Sequence, residues 1–428
     1  MKKNIKKKWA LLFLPILILM LTYYFSNNGD ATRPITKLAD LKDLSFGKPI
    51  YTFSEKSANT EIKKLSVLPV WQGGYDPFVI ELSNTDLSSM DLSNCSELYE
   101  TVYYDTNTIW PSKLPEEFNP KVILELGKNP GLSIKELHTN GITGKGVNIA
   151  IIDSALLTGH EEYKENIKLY ELLHCLDQEP FFHGSAVTSI AVGNNVGVAP
   201  DANVYYIAST FGTINNGVGT LDLSYVASGI MRILEINKIL PDSEKIRVIS
   251  ISRGYSKGDN GYEEVYKAVE EAKKDGVFVI TPTLEENYRI KINGLGREVY
   301  SNPDDVNLYR PGFLWDDYYY NYHSKYMNDT AYNFNMLLVP MDSRTFAACT
   351  GESDYAFIRQ GGTSLACPWI AGVYALCLQV KPELLPEEFL EKAIETADII
   401  DYKYNGNDYR LGKILNPTKL INSLSRDN

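Results

Sequence analysis

A glycine pair followed by a long apolar run, at residues 361–373, is the feature that most constrains the fold of this chain. Gly361 and Gly362 lead through a Thr-Ser pair into side chains that are nearly all apolar, which predicts a buried helix beginning near Ser364. The first N–H groups of a helix have no intrahelical acceptor, and the helix dipole adds positive potential there. Ser364 is therefore either a helix cap or a nucleophile whose oxyanion the helix start would stabilise.

A serine nucleophile needs a base and an acid, and two other stretches supply them. Residues 146–153 are a short β-branched run that ends in Asp153, which predicts a buried strand of a parallel sheet. Ligands of open α/β sheets bind at the carboxyl ends of strands, so Asp153 is either a site residue or a residue that caps a turn. His183 precedes a glycine and a run of small residues at a predicted helix start, which favours a catalytic over a structural histidine.

These three stretches together resemble the subtilisin-like serine peptidases, the subtilases of peptidase family S8. The order Asp153, His183, Ser364 is the order in which subtilisin carries its triad, and the resemblance covers roughly residues 140–420. It implies acyl transfer on a protein or peptide substrate. Ser364 would attack a peptide carbonyl, His183 would move the proton, and Asp153 would orient the imidazole.

The same resemblance bears on substrate and ion binding. Residues 249–254 resemble the strand whose edge pairs with the substrate backbone, which implies substrate contacts at Ser252, Arg253 and Gly254. Structural calcium is frequent in this family, but no loop here has a clear oxygen-ligand pattern, and no metal-ligand spacing occurs. We therefore predict no metal site and no cofactor. The five cysteines are sparse and odd in number, so they predict no disulfide framework.

The oxyanion hole is where the sequence departs from the family. The family's oxyanion-hole asparagine follows a strand that corresponds here to residues 276–280. An ungapped alignment puts Glu285 at that position, a loop two residues longer puts Asn287 there, and Thr283 is the third candidate. An ionised carboxylate would repel an oxyanion, and losing one donor costs about 100- to 1,000-fold in turnover. The two functions to compare are therefore an exported serine endopeptidase and a catalytically impaired, subtilisin-like pseudoprotease that binds a peptide or a partner protein.

The N-terminus predicts export. Residues 1–8 carry five lysines, and residues 9–25 are almost unbroken apolar. A basic region before an apolar segment is typical of an export signal, so residues 1–25 are either an uncleaved signal-anchor or a cleaved signal peptide. The lysines would stay on the cytoplasmic side, which leaves the peptidase domain extracellular, either membrane-anchored or secreted. The net charge of −12 disfavours nucleic acid as a partner, and the oligomeric state does not follow from the sequence.

The remaining sequence divides into two parts. Residues 26–130 predict a linker and a small β-rich region, in which leucines recur every five residues at Leu82, Leu87 and Leu92. This region could be a pro-region. From residue 131 to 428, strands alternate with helices such as those predicted at 221–240 and 262–274. Such alternation predicts an α/β domain built on a parallel sheet with helices on both faces.

Overall fold

The computed structural model describes residues 62–69, 80–175, 179–215, 218–323 and 336–425. The predicted membrane or signal segment, residues 1–25, and most of the predicted linker lie outside these ranges. Among the described helices, one is long and apolar enough to cross a membrane, Thr363–Val380, and 78% of it is buried inside the protein. It is the core helix that the glycine pair predicts.

Strands and helices alternate through most of the described chain. The strands are β1 (Lys63–Lys64), β2 (Ile80–Glu81), β3 (Thr85–Asp86), β4 (Val102–Asp105), β5 (Asn148–Asp153), β6 (Ile167–His174), β7 (Asn203–Ser209), β8 (Gly212–Asn215), β9 (Val218–Leu221), β10 (Ile246–Ile251), β11 (Phe278–Ile280), β12 (Lys291–Arg297), β13 (Tyr309–Pro311), β14 (Met336–Pro340), β15 (Arg344–Ala347), β16 (Tyr355–Ile358), β17 (Asp398–Tyr404) and β18 (Asn407–Ile414). The helices are α1 (Leu98–Thr101), α2 (Pro120–Gly127), α3 (Ile134–Thr139), α4 (Phe182–Val192), α5 (Ser224–Ile239), α6 (Tyr262–Lys274), α7 (Glu285–Tyr288), α8 (Asp316–Tyr318), α9 (Thr363–Val380), α10 (Pro386–Glu395) and α11 (Pro417–Leu424).

A parallel five-stranded sheet, in the order β11-β10-β5-β7-β6, forms the centre of the fold. Successive side chains of a strand point to opposite faces, and in β5 both faces are buried. Ile149 and Ile151 pack with α4 and α9 on one side, whereas Ile152 packs with α5 and α6 on the other. The predicted α/β class, with a parallel sheet and helices on both faces, is confirmed.

Predicted and observed helix bounds differ most where a hairpin precedes α5. The prediction began this helix at Leu221, but Leu221 is the last residue of β9, which pairs with β8. The carboxylate of Asp222 then accepts the backbone N–H of Ser224 at 3.0 Å, and α5 begins at Ser224. Apolar spacing alone could not detect this turn, because Leu221 and Leu223 fit both a strand end and a helix face.

Two further sheets flank the central one. The second has the order β13-β12-β14-β18-β17, and α9 lies between it and the parallel sheet. The third has the order β15-β16-β4-β2, so it joins strands that lie about 250 residues apart in the sequence. We call residues 80–114 the N-terminal layer. Its recurring leucines, Leu82, Leu87 and Leu92, are buried in one apolar cluster with Val196 and Phe357 of the main domain.

Candidate active site

Asp153 and His183 are joined by a direct hydrogen bond. Asp153 is the last residue of β5 and is buried, and its Oδ1 accepts from His183 Nδ1 at 2.8 Å. The same oxygen accepts the backbone N–H of Ser154 at 2.8 Å and its hydroxyl at 3.0 Å. These donors fix the direction of the carboxylate. With Nδ1 as the donor, the proton-free nitrogen of the imidazole is Nε2.

The local sequence brings His183 to Asp153. His183 lies in the first turn of α4, and the next residue is Gly184. A Cβ atom at Gly184 would lie 2.5 Å from the Tyr206 hydroxyl and 2.9 Å from the Ser154 carbonyl oxygen. Only glycine therefore lets the start of α4 approach the end of β5 so closely.

Ser364 lies in the first turn of α9 and is tied to the end of β10. Its hydroxyl donates to the carbonyl oxygen of Ser252 at 3.2 Å, and the Ser252 hydroxyl donates to the Ser364 carbonyl oxygen at 2.7 Å. Ser252 directly follows β10, in which Ile251 pairs with Ile152 of β5. Ser364 is thus held at the sheet edge where β5 ends in Asp153. A hydrogen bond from Ser364 to His183 does not occur among the described residues.

The electrostatic environment favours the charged form of His183. Burial by itself lowers the pKa of His183, but the charge of Asp153 and the hydrogen bond to it outweigh burial, so the net pKa is raised. The side chain of His183 keeps 24% of its surface exposed, so a substrate can reach it. Asp153 Oδ2 is buried and has no hydrogen-bond partner among the described residues. The imidazole is therefore the main group that compensates the negative charge of the carboxylate.

Asn287 is committed to other contacts. Its Oδ1 accepts from the Tyr255 hydroxyl, and its Nδ2 donates to Glu270 Oε1 at 2.8 Å and to the Tyr266 carbonyl oxygen at 3.5 Å. Both N–H groups of the amide are therefore used within the protein. In this arrangement Asn287 has no donor left for an oxyanion, although the sequence made it a candidate.

Thr283 and Glu285 are placed differently from each other. Thr283 Oγ1 accepts the backbone N–H of Tyr255 at 2.9 Å and lies beside Gly254, two residues after Ser252. Its own hydroxyl proton has no acceptor in the part of the chain that the structure describes. Glu285 begins α7 and is half-buried. Of the three candidates, Thr283 combines an unused donor with a position next to the strand that contacts Ser364.

The predicted substrate strand has one exposed charge. Ser252 is buried and uses its hydroxyl on Ser364, whereas Arg253 is exposed. Gly254 faces Pro282 and Thr283, and a Cβ atom there would lie 3.1 Å from Thr283.

Sequence reasoning missed Asp342, which holds the turn before Ser364. Its Oδ1 accepts the backbone N–H of Gly361 at 2.8 Å, and its Oδ2 accepts that of Phe313 at 2.8 Å. Burial raises the pKa of the Asp342 carboxyl to about 7, against the opposing effect of these two N–H groups. An acidic residue shortly after a predicted strand, here residues 336–339, could have indicated Asp342. The same pattern, an acid at the end of a strand, identified Asp153.

Comparison with known families shows to which family the chain belongs. The sequence profile of the subtilase family, peptidase S8, matches residues 144–304 and 338–414, which is more than half of the chain. The chain belongs to the subtilase family. The matched residues include the end of β5, the start of α4 and the start of α9.

Two curated relatives are serine proteases. The epidermin leader peptide-processing serine protease EpiP of Staphylococcus epidermidis is 23% identical over 318 residues, covering 61% of this chain and 67% of that protein. The serine protease AprX of Bacillus subtilis is 25% identical over 289 residues, covering 60% of this chain and 63% of that protein. A solved structure, the prenylagaramide maturation protease PagA, aligns with 17% identity and a TM-score of 0.45, over 68% of this chain and 98% of its own. Family and relatives assign this subtilase to the serine-type endopeptidases, whose substrates are proteins or peptides.

Outside the candidate active site, the described residues hold neither a disulfide nor a cluster of side chains that could bind a metal ion. None of the five cysteines, all of which lie in the described ranges, forms a disulfide. The described residues contain no group of three or more His, Cys, Asp or Glu side chains that could hold a metal ion.

The carboxyl of Asp342 predicts a pH-dependent stability. Its folded pKa of about 7 exceeds the unfolded value, so its stabilising effect is full below about pH 4 and is lost as the pH rises to about 7. Asp342→Asn does not titrate, and its mispaired amide costs the same at every pH. The free energy of unfolding of the variant relative to wild type should therefore rise by about 1.4 kcal/mol per pH unit across that window. Urea denaturation at several pH values measures it, and a pH-independent difference would contradict it.

Proposed function

We propose that this subtilase is an exported serine endopeptidase that hydrolyses peptide bonds through Asp153, His183 and Ser364. The observation that carries the proposal is the 2.8 Å hydrogen bond between Asp153 and His183, at the sheet edge to which Ser252 ties Ser364. An acid and a base are hydrogen-bonded there, and the Ser364 hydroxyl is bonded to the residue that follows the neighbouring parallel strand. This arrangement supports nucleophilic acyl transfer.

The chemistry follows from the proton on Nδ1. The Ser364 hydroxyl rotates from the Ser252 carbonyl toward His183 Nε2, gives up its proton there and bonds to the peptide carbonyl carbon. His183 then passes the proton to the amide nitrogen as the C–N bond breaks, which leaves an acyl-enzyme and a free amine. Water hydrolyses the ester by the same steps, and Ser364 regains its proton. The negative charge of Asp153 stabilises the imidazolium that forms twice in each cycle.

Two donors would stabilise the oxyanion. The backbone N–H of Ser364 lies in the first turn of α9, where N–H groups have no intrahelical acceptor and the helix dipole favours negative charge. The second donor is the Thr283 hydroxyl, since its proton is unused and Asn287 is engaged elsewhere. A hydroxyl replaces the amide that the family pattern led us to expect.

The substrate is a protein or peptide outside the cytoplasm. One relative is named as a leader peptide-processing protease, which supports limited cleavage of a peptide rather than general digestion. The lysines and apolar residues of segment 1–25 support export, with the peptidase domain membrane-anchored or released.

Covalent labelling tests the proposed function. A fluorophosphonate probe should label the wild-type chain at Ser364, because His183 activates that hydroxyl, and Ser364→Ala should abolish the label. Ser256→Ala is the matched control, because it removes an exposed hydroxyl that bonds Asp259 and leaves Ser364 and its contacts unchanged. A folded wild-type chain that takes up no label would favour the pseudoprotease, whose oxyanion site lacks an amide side chain.

The pH dependence of the rate reports on His183. Because its pKa is raised, kcat/KM for a neutral ester should fall on the acid side with a midpoint above about 6.5. Below that midpoint His183 is protonated and cannot accept the Ser364 proton. Asp153→Asn removes the charge that raises this pKa, so the midpoint should move to lower pH while the rate falls. An unchanged midpoint in Asp153→Asn would mean that another group controls the acid limb.

Replacement of Thr283 by valine, which has nearly the same shape, tests whether its hydroxyl stabilises the oxyanion. Thr283→Val should lower kcat by about 100- to 1,000-fold with little change in KM, since the lost donor acts mainly in the transition state. Thr283→Ser keeps the hydroxyl and should keep most of the rate. Steady-state hydrolysis of a peptide ester measures both, with Asn287→Ala as the comparison. A larger kcat loss in Asn287→Ala than in Thr283→Val would return the role to Asn287.

A further inference from the structure

The N-terminal layer, residues 80–114, is built into the third sheet. Its strand β4 pairs antiparallel with β16, with Tyr103 opposite Ile358 and Tyr104 opposite Phe357. On its other side β4 pairs in parallel with β2. The edge of β16 is therefore covered by a strand that lies about 250 residues earlier in the chain.

Apolar packing fixes the layer against the main domain. The ring of Tyr104 packs on Phe357 at 5.5 Å and on Trp110 at 5.2 Å, and its hydroxyl donates to the Pro120 carbonyl oxygen at 2.5 Å. The most deeply buried large side chains of the layer are Leu82, Leu87, Leu98 and Tyr104. They share one apolar cluster with Val196, Val299 and Phe357 of the main domain, so release of the layer would expose apolar surface on both sides.

The layer also holds the residues that lead into the nucleophile. The backbone N–H of Arg359 donates to the Val102 carbonyl oxygen at 3.0 Å. Arg359 Nε donates to the Tyr99 carbonyl oxygen at 2.9 Å, and Gln360 Nε2 donates to the Glu100 carbonyl oxygen at 2.7 Å. All three acceptors lie at the junction of α1 and β4.

The turn between these contacts and Ser364 has little room for adjustment. Gly361 packs so closely that a Cβ atom would lie 2.4 Å from the Met341 carbonyl oxygen, and its N–H is bound by Asp342. Gly362 then begins α9 as its cap residue. The close packing of Gly361 therefore couples the position of Gln360 to the turn before Ser364.

We propose that the N-terminal layer is a permanent positioning element that holds the nucleophile's turn through Arg359 and Gln360, rather than a pro-region that leaves on maturation. This rests on the proposed peptidase activity of Ser364. The layer lies outside residues 144–304 and 338–414, which the family profile matches. Proteolytic maturation that preserves activity must then cut before residue 80.

Two sets of measurements test the positioning role. In the first, Gln360→Met removes the donor to the Glu100 carbonyl at nearly constant volume. Misplacement of a reacting group by about 1 Å costs roughly 100-fold in rate, so kcat should fall about 10- to 100-fold while KM changes little. The matched control is Lys113→Met, which puts methionine on the exposed surface of the same layer, where its ion pair with Asp91 contributes little. Circular dichroism establishes that each variant is folded.

In the second, a specific protease site is inserted between Glu116 and Glu117, which are exposed in the connector after the layer. After cutting, the two fragments should co-elute, and fluorophosphonate labelling should continue at the wild-type rate. Stripping the smaller fragment with mild urea should then lower the labelling rate, and adding it back should restore that rate. A pro-region predicts the reverse, since labelling would rise once the fragment leaves.

The outcomes separate this proposal from the proposed function. If the uncut wild-type chain takes up no label, the peptidase proposal fails and the positioning role fails with it. If the wild-type chain labels, but Gln360→Met keeps the wild-type kcat or stripping raises the rate, only the positioning role is overturned. A lower kcat in Gln360→Met together with rate recovery on adding the fragment back supports it.

Discussion

The fold depends on the burial of helix α9 on every side. Its residues from Leu365 to Leu378 are all buried, so the helix needs protein around its whole circumference. The parallel sheet lies on one side of it, the second sheet lies on another, and α4 and α11 pack against it as well. Trp369 is an example of this close packing. Its side chain is fully buried, and its indole N–H donates to the Pro130 carbonyl oxygen at 2.9 Å. Ser364, which is half-buried, precedes this buried run directly.

The sequence could predict those parts of the site that depend on local pattern. Asp153 ends a run of β-branched residues, and His183 precedes a glycine at a helix start, so both positions follow from nearby residues. Asn287 shows where this fails. Its amide is taken by Tyr255 and Glu270, and no local spacing indicates that those side chains reach it. Tertiary contacts decide whether an amide N–H binds a neighbouring side chain or is left for the substrate. A single sequence does not show these contacts.

The same limit explains why the pairing of the N-terminal layer was not predicted. The strand β4 has four residues, all buried, and short apolar strands carry no signal of which strand they will join. The leucine repeat at residues 82–92 predicts a short coil or ladder that covers one face of the peptidase domain, but not which strand it joins. A region of this size before a subtilase domain also suits a pro-region. The pairing of Tyr104 with Phe357 supports a built-in strand over a detachable one.

Two segments that lie outside the residues matched by the family profile contact the same short turn before Ser364. The N-terminal layer reaches Gln360 through the Glu100 carbonyl, and the insert between the two matched regions reaches Gly361 through Asp342, which also binds the Phe313 N–H. Each segment also adds a strand to a sheet edge, β4 on β16 and β13 on β12, and so covers backbone groups that would otherwise be open to pairing. Burial raises the pKa of the Asp342 carboxyl even with both N–H groups in place, so loss of either contact would make its ionised form still less favourable. The segments that extend these sheets therefore also contact the turn that carries Ser364, the proposed nucleophile.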